Sequence, residues 1–231
     1  MKQNYFEPTW SSIKQHQTPN WFKKAKFGIY AHWGIYSVPA AGPNVTWYPY
    51  WMYRPPSPQF DYHCKHYGHP SKFGYKDFIP MFTAEKFNAE EWADLYYRSG
   101  AKFAGPVAEH HDGFPMWNCS DTEWCASKMG PKRDIVGELA KAIRNKGMKY
   151  MVAMHHAENW FFFPHWNNDF DTSKKEYESL YGELHNLDLI GNQAVYPDHW
   201  GRKNEHQDKP SKVFHDRWLN RLKEVVDNYK P

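Results

Sequence analysis

The segment with the clearest capacity for chemistry reads EHHDGFPMW, from Glu109 to Trp117. It follows the apolar run of residues 101–108, so two histidines, an aspartate and a glycine stand where a predicted strand should end. On a regular strand His110 and His111 would point to opposite faces and could not both bind one metal ion. The segment therefore predicts a strand that opens into a loop carrying imidazole groups.

Two other predicted strands also end in histidines. KFGIYAHWGIYSV, residues 26–38, is a β-branched and aromatic run that predicts a buried strand ending near His32. MKYMVAMHHAENW predicts a third strand, which ends at His155 and His156. Glu109 is the nearest carboxylic acid to the central histidine pair, and on a strand it would face away from His110.

Segments with helical periodicity alternate with these strands. FTAEKFNAEEWADLYYRSGAK predicts a helix that closes at Gly100, and RDIVGELAKAIRNKGMK predicts one that begins at Asp134 and ends at Gly147. SKVFHDRWLNRLKEVVDNYKP predicts a third helix, begun by Ser211, with aromatic and aliphatic residues on one face. Two long loops are expected at about residues 39–80 and 161–210, the first without regular period and the second with at most a short helix at GELHNLDLIGNQ.

Strands alternating with helices predict parallel pairing with right-handed crossovers. The ring-rich polar segments follow the strands and precede the helices, where a (β/α)₈ TIM-like barrel builds its active site. A doubly wound sheet also binds ligands at strand ends, but no Gly-rich phosphate loop follows any strand here. We therefore expect an α/β barrel of which residues 1–231 supply about the first three βα units, truncated before the fourth strand.

Composition excludes several classes of protein. With 41% hydrophobic and 19% aromatic residues, the chain is not disordered. Its net charge is +3 and its basic residues are scattered among acidic ones, which argues against a nucleic-acid partner. No apolar run reaches the length of a membrane span, and the first residues lack the apolar region of a signal peptide. Three cysteines support neither a zinc ribbon nor a disulfide framework, although a Cys119–Cys125 bridge stays open. The many aromatic rings and histidines suit carbohydrate binding.

Some residues in these segments have plain structural roles. Asp112 and Gly113 form a turn dipeptide, and Arg133 and Asp134 stand where a helix begins. Trp117 could be either a buried residue or part of a subsite.

Several segments together resemble the α-L-fucosidases of glycoside hydrolase family 29. The resemblance runs from about residue 21 to the C-terminus and is carried by KFGIYAHWGIYSVPA, NVTWYPYWMY, FTAEKFNAEEWADLYYRSGAKF, AEHHDGFPMWNCSDTEW and RDIVGELAKAIRNKGMKY. It implies a catalytic barrel that releases terminal α-linked L-fucose with retention of configuration and uses no metal or organic cofactor. It also implies a fucosylated oligosaccharide or glycoconjugate as partner and favours a periplasmic or secreted location.

The resemblance also implies the sugar-binding residues. His32, His110 and His111 match family histidines that hydrogen-bond fucose hydroxyls, and imidazole suits this role because it donates from one nitrogen and accepts at the other. Trp47 and Tyr48 match a ring pair that approaches the sugar. His155 and His156 stand where some members place a tyrosine, and one of the two is expected to contact the sugar.

The two catalytic carboxyl groups are expected elsewhere. Retention requires a nucleophile and an acid/base about 5 Å apart. The family nucleophile is an aspartate at the end of the fourth strand, in a segment resembling Trp-Phe-Asp, which the resemblance places after Pro231. Thr46 occupies the position where many members carry an acid/base glutamate, and threonine cannot supply a proton at neutral pH.

Two alternatives from other classes stay open. A metal-dependent barrel hydrolase could use His32, His110, Asp112 and His155 as ligands, but the His-x-His spacing or His-Glu-x-x-His helix that would favour it is missing. A catalytically silent fucose-binding fragment or pseudoenzyme would bind the sugar without hydrolysing it.

Overall fold

The computed structural model of the protein describes residues 6–184 and 210–231. Its strands, β1 to β4 in chain order, are Gly28–Ala31, Phe103–Glu109, Lys149–Tyr150 and Ala153–Met154. The α-helices, α1 to α9, are Trp10–Ile13, Asn20–Ala25, Tyr48–Trp51, Pro58–His66, Ala89–Arg98, Ile135–Asn145, Asn159–Phe162, Glu178–Tyr181 and Lys212–Tyr229. Short 3₁₀ helices span Ile35–Ser37, Val45–Trp47, Tyr75–Met81, His156–Glu158, Asp171–Ser173 and Lys175–Tyr177.

The strands form one parallel arrangement with β2 at its centre. β1 pairs with one edge of β2, and β3 and β4 pair with the other. Parallel pairing brings the carboxyl ends of all three predicted strands to the same edge. The predicted alternation of parallel strands and helices is therefore confirmed, and it agrees with an α/β barrel domain.

The third predicted strand is not continuous. It is divided into β3 and β4, and the register against β2 shifts between Val107 and Glu109. At the break, the carbonyl oxygen of Met151 approaches Gly105 of β2 so closely that a Cβ at position 105 would overlap it. Glycine is thus required in the middle of the central strand, because any side chain there would push the third strand away.

The predicted helices form where their capping residues stand. Asn88 accepts hydrogen bonds from the amides of Glu90 and Glu91 in the first turn of α5. Asp134 accepts from the amide of Gly137 in α6, and Ser211 accepts from the amide of Phe214 in α9. Gly100 and Gly147 follow α5 and α6 with positive φ, as predicted for residues that end helices. α5 and α6 pack against each other, and α6 covers β2.

The first long loop departs from its prediction, because residues 39–80 contain regular structure. α4 starts with Pro58 after Ser57, whose hydroxyl oxygen accepts from the amide of Phe60. His63, on α4, is fully buried among Tyr48, Phe73 and Phe78. These tertiary contacts stabilise a helix whose own sequence is too polar and aromatic to show a helical period.

The second long loop is described only in part. Up to residue 184 it contains α7, α8 and two 3₁₀ turns, and most of the predicted helix at GELHNLDLIGNQ lies outside the described residues. Cys64, Cys119 and Cys125 carry free thiols, so the Cys119–Cys125 bridge that the sequence left open is not formed. Among the described helices, none is both long and apolar enough to span a lipid bilayer.

The close approach at Gly105 yields a prediction about stability. Gly105→Ala should lower the free energy of unfolding by about 1–3 kcal/mol, because the new methyl group meets backbone that cannot move aside. Urea denaturation would measure it. Gly34→Ala is the matched control, since its methyl group would meet the side chain of Tyr36 at 3.1 Å and not backbone. Equal losses in both variants would contradict this explanation of the strand break.

Candidate functional site

Four histidines meet where β1, β2 and β4 end. The ring of His32 lies 5.5 Å from that of His110 and 5.2 Å from that of His155, centroid to centroid. His110 and His155 lie 5.3 Å apart with nearly parallel rings, and His111 is 4.4 Å from His110 and 5.1 Å from His155. Four of the seven predicted sugar-binding residues therefore form one group, which we call the histidine cluster.

The sequence predicted that the strand opens into a loop at His110 and His111, and the structure confirms this loop. β2 ends at Glu109, and the following residues form a turn in which Gly113 has positive φ and its amide donates to the carbonyl of His110. Strand alternation therefore does not apply to the histidine pair. Asn159 donates to the carbonyl of His111 at 2.9 Å and holds the turn in place.

Burial keeps His32, His110 and His155 uncharged at neutral pH, because it lowers the pKa of each. It is the main cause that lowers the pKa of His110 to about 2 and that of His155 to about 4, and the neighbouring histidines lower both further. Burial also lowers the pKa of His32. Neutral imidazoles each carry one N–H donor and one acceptor nitrogen, so the cluster offers both kinds of partner to hydroxyl groups.

Aromatic rings border the histidine cluster. Trp47 lies 4.9 Å from His111 and 5.3 Å from Phe162, which itself packs 5.4 Å from His111. Tyr30 lies 5.0 Å from His32 and keeps about half of its surface exposed. Sequence analysis did not single out Phe162 or Tyr30. Tyr30 stands two residues before His32 on β1, and this same-face spacing was the available signal.

Two predicted site residues lie outside the cluster. Tyr48 is fully buried in the core, where its hydroxyl hydrogen-bonds Nδ1 of His63 at 3.0 Å. His156 is also buried, stacks on Phe214 of α9, and bonds Glu109 through Nδ1 at 2.6 Å. Of the two neighbouring histidines at this strand end, His155 is the one that joins the cluster.

Glu109 is the centre of a buried ionic network behind the histidine turn. Its side chain is inaccessible to solvent and accepts hydrogen bonds from His156 and from Arg221 of α9. Burial alone would raise the pKa of Glu109, but the charges of Arg221 and His156 outweigh it and the pKa is lowered. Arg221 also contacts Asp121 through Nε at 3.1 Å. The last helix is thus tied to the end of the central strand.

Sequence analysis missed Arg221, which is almost completely buried. It stands seven residues after Phe214 and four before Val225, on the face of α9 that both of these residues bury. A charged residue within an apolar helical stripe was the signal that could have revealed it.

The remaining candidates near the turn have structural roles. Asp112 is buried and accepts from the hydroxyl of Tyr75 at 2.7 Å, and burial raises its pKa to about 7. Trp117 is completely buried and donates to Glu224, so it is not part of an open subsite. Arg133 bonds Glu138 in the first turn of α6, in keeping with its predicted place at the helix start.

The cluster also has the spacing of a metal-binding group. One ring nitrogen from each of His110, His111 and His155 lies within 4.8 Å of the other two. Asp112, one of the ligands considered from the sequence, is not in this group, because its carboxylate is turned to Tyr75 and to the amide of Phe114.

Comparison with known proteins shows the family of the chain. The alpha-L-fucosidase family model matches residues 1–231. The chain belongs to the alpha-L-fucosidase family. It is 35% identical to human tissue alpha-L-fucosidase over 234 residues, which cover 92% of this chain and 49% of that protein. It is 46% identical to human plasma alpha-L-fucosidase over 142 residues, which cover 61% of this chain and 30% of that protein.

Solved fucosidase structures share the fold. The crystal structure of Thermotoga maritima alpha-fucosidase in complex with fucose superposes with a TM-score of 0.72 at 34% identity, covering 98% of this chain and 48% of that one. The same enzyme in complex with a mechanism-based inhibitor gives a TM-score of 0.74. The chain thus spans about half the length of the human tissue enzyme and of the Thermotoga enzyme.

The buried network predicts that the fold depends on Arg221. Arg221→Met should lower the free energy of unfolding by about 3–5 kcal/mol, because it leaves the charge of Glu109 buried without its guanidinium partner. Chemical denaturation followed by tryptophan fluorescence would measure the loss. Arg217→Met is the control: Arg217 also lies on α9 and contacts Asp121, but at a part-exposed position, where we expect a loss below about 1 kcal/mol. Similar losses would contradict the assignment.

Asp121 should make stability depend on pH. Burial would raise its pKa, but Arg221 and Arg217 outweigh burial and lower the pKa from 3.8 to about 2. Because the pKa is lower in the folded state, ionised Asp121 stabilises the fold above about pH 4, and this contribution is lost as the pH falls towards 2. Asp121→Asn should cost about 2 kcal/mol at pH 6 and clearly less at pH 3. Urea titrations at both pH values test this, and an unchanged difference would contradict it.

Proposed function

We propose that the protein that contains this chain hydrolyses terminal α-linked L-fucose of oligosaccharides or glycoconjugates by a retaining mechanism, and that this chain supplies the sugar-binding half of the active site. The observation that carries the proposal is the histidine cluster at the ends of three parallel strands, beside Trp47, in a chain of the alpha-L-fucosidase family.

The cluster suits a deoxy sugar on chemical grounds. His32, His110 and His155 are uncharged at neutral pH and offer donor and acceptor nitrogens to hydroxyl groups on neighbouring carbons. Trp47, which is half-buried, provides an apolar surface beside His111, and the buried ring of Phe162 packs behind it. Such a surface suits the methyl group at C5 of fucose and the apolar face of its ring.

The described carboxylates near the cluster do not form a retaining pair. Glu109 and Asp112 are both buried and engaged by Arg221 and Tyr75. Glu158 lies 4.0 Å from Nε2 of His111, about half exposed, and among the described residues no second carboxylate is recorded beside it. We therefore assign the nucleophile and the acid/base to a C-terminal part of a (β/α)₈ barrel whose first three βα units are residues 1–231, with no metal or organic cofactor in catalysis.

The partner is a fucosylated glycan, and we place the protein in a secreted or periplasmic compartment. Two findings support this setting. A neighbouring crystal structure contains fucose, and a Thermotoga maritima fucosynthase structure at 31% identity contains a fucosyl disaccharide derivative. A human relative is described as a plasma alpha-L-fucosidase.

Sugar binding by the chain tests the first half of the proposal. Isothermal titration should show binding of free L-fucose, and His32→Ala or Trp47→Ala should each weaken it about tenfold, which corresponds to about 1.4 kcal/mol. His66→Ala is the matched control, because His66 is exposed on α4 and stacks only on Tyr62 in the described contacts. D-fucose, the mirror image of the sugar, should bind at least tenfold more weakly. Equal effects of all three substitutions would contradict the site.

Hydrolysis tests the second half. The chain of residues 1–231 should bind L-fucose without releasing the chromophore from an aryl α-L-fucoside, whereas a protein extended through the next strand and the rest of the barrel should release it. Hydrolysis by residues 1–231 alone would overturn the assignment of the carboxyl groups to a later part of the barrel.

A further inference from the structure

We propose that His110, His111 and His155 also form a binding site for Zn²⁺, and that the metal ion and the sugar exclude each other. The competition with sugar depends on the proposed function. The metal site itself is inferred only from the geometry of three imidazoles. In this reading zinc inhibits the protein and takes no part in catalysis.

The first argument is the spacing of the ring nitrogens. In a tetrahedral zinc site with nitrogen ligands at 2.0–2.1 Å, the nitrogens stand about 3.4 Å apart. One nitrogen from each of the three histidines already lies within 4.8 Å of the others. Small rotations of the side chains therefore suffice to close the group on one ion. Three imidazoles suit Zn²⁺ and leave its fourth position to water.

The second argument is the proton position on His111. Its Nδ1 lies 2.8 Å from the backbone carbonyl oxygen of His155, and a carbonyl oxygen can only accept. Nδ1 therefore carries a proton, and in the neutral imidazole Nε2 is the nitrogen that holds the lone pair. A ligand histidine whose other ring nitrogen donates to a carbonyl is the usual arrangement at zinc, because this bond fixes the ring and its tautomer.

The third argument is that the backbone holds the ligands before any ion binds. The amide of His155 donates to the carbonyl of Glu109 at 2.9 Å, which fixes the third strand end beside β2. Asn159 holds the carbonyl of His111. Glu158 Oε2, 4.0 Å from Nε2 of His111, adds negative charge at the open side of the group. Pre-arranged ligands reduce the ordering cost of binding.

His155 completes the ligand group. Without an imidazole at position 155, only His110 and His111 of the three would remain. Metal binding is therefore expected to depend on His155.

Zinc titration tests the metal site without reference to sugar. After removal of metal with EDTA and dialysis, isothermal titration with Zn²⁺ should show a one-to-one site that weakens at least tenfold in His155→Tyr and in His111→Ala. His66→Ala should leave it unchanged. X-ray absorption of the zinc complex should show three imidazole ligands. Equal affinity in all variants, or fewer imidazoles, would mean adventitious binding and overturn the proposal.

A competition experiment tests mutual exclusion. Saturating Zn²⁺ should weaken L-fucose binding at least tenfold in the unaltered chain and less than twofold in His155→Tyr. Unchanged sugar affinity in the zinc-loaded chain would overturn the exclusion. If L-fucose failed to bind even without zinc, the proposed function would fall, while the zinc titrations would still decide the metal site.

Discussion

The site depends on one buried charge, the carboxylate of Glu109 at the end of the central strand. Removing a carboxylate from water costs several kcal/mol unless partners replace the solvent, and here Arg221 and His156 do so. Glu109 lies on β2, His156 follows the third strand, and Arg221 lies on the last described helix. A single desolvated charge thus makes the end of the sheet stable only when these three parts of the chain are assembled.

That constraint leaves the opposite side of the turn free for ligand chemistry. Glu109 and His156 point into the network, whereas their immediate neighbours His110 and His155 point into the cluster. The pair His155 and His156 is therefore divided between the cluster and the network, whereas His110 and His111 both lie in the cluster. Burial also keeps His32, His110 and His155 neutral, and neutral imidazole suits both ligands that we propose, a sugar hydroxyl and a zinc ion.

The sequence predicted the parts of this arrangement that depend on local signals. Asp134 and Ser211 begin helices and Gly100 ends one. Each does so through the local backbone of its own turn, so these roles could be recognised without a structure. Parallel pairing followed from alternation, and it correctly brought His32 and His110 to one edge. The apolar stripe of α9 could have indicated that Arg221 is buried, but its partner Glu109 lies 112 positions away. The helix after Ser57 likewise depends on a contact between Tyr48 and His63, which are 15 positions apart. No local pattern identifies these partners.

The turn after Glu109 shows where a local rule stops applying, at the point where the sequence predicted a loop. Alternation holds along β2, and it correctly turned Glu109 away from His110. It fails at His111, because the strand ends and Gly113 reverses the chain. The same reversal brings two adjacent imidazoles to one side and allows a third, His155, to join them across the sheet. The proposed sugar site and the proposed zinc site thus both depend on the end of β2 at Glu109.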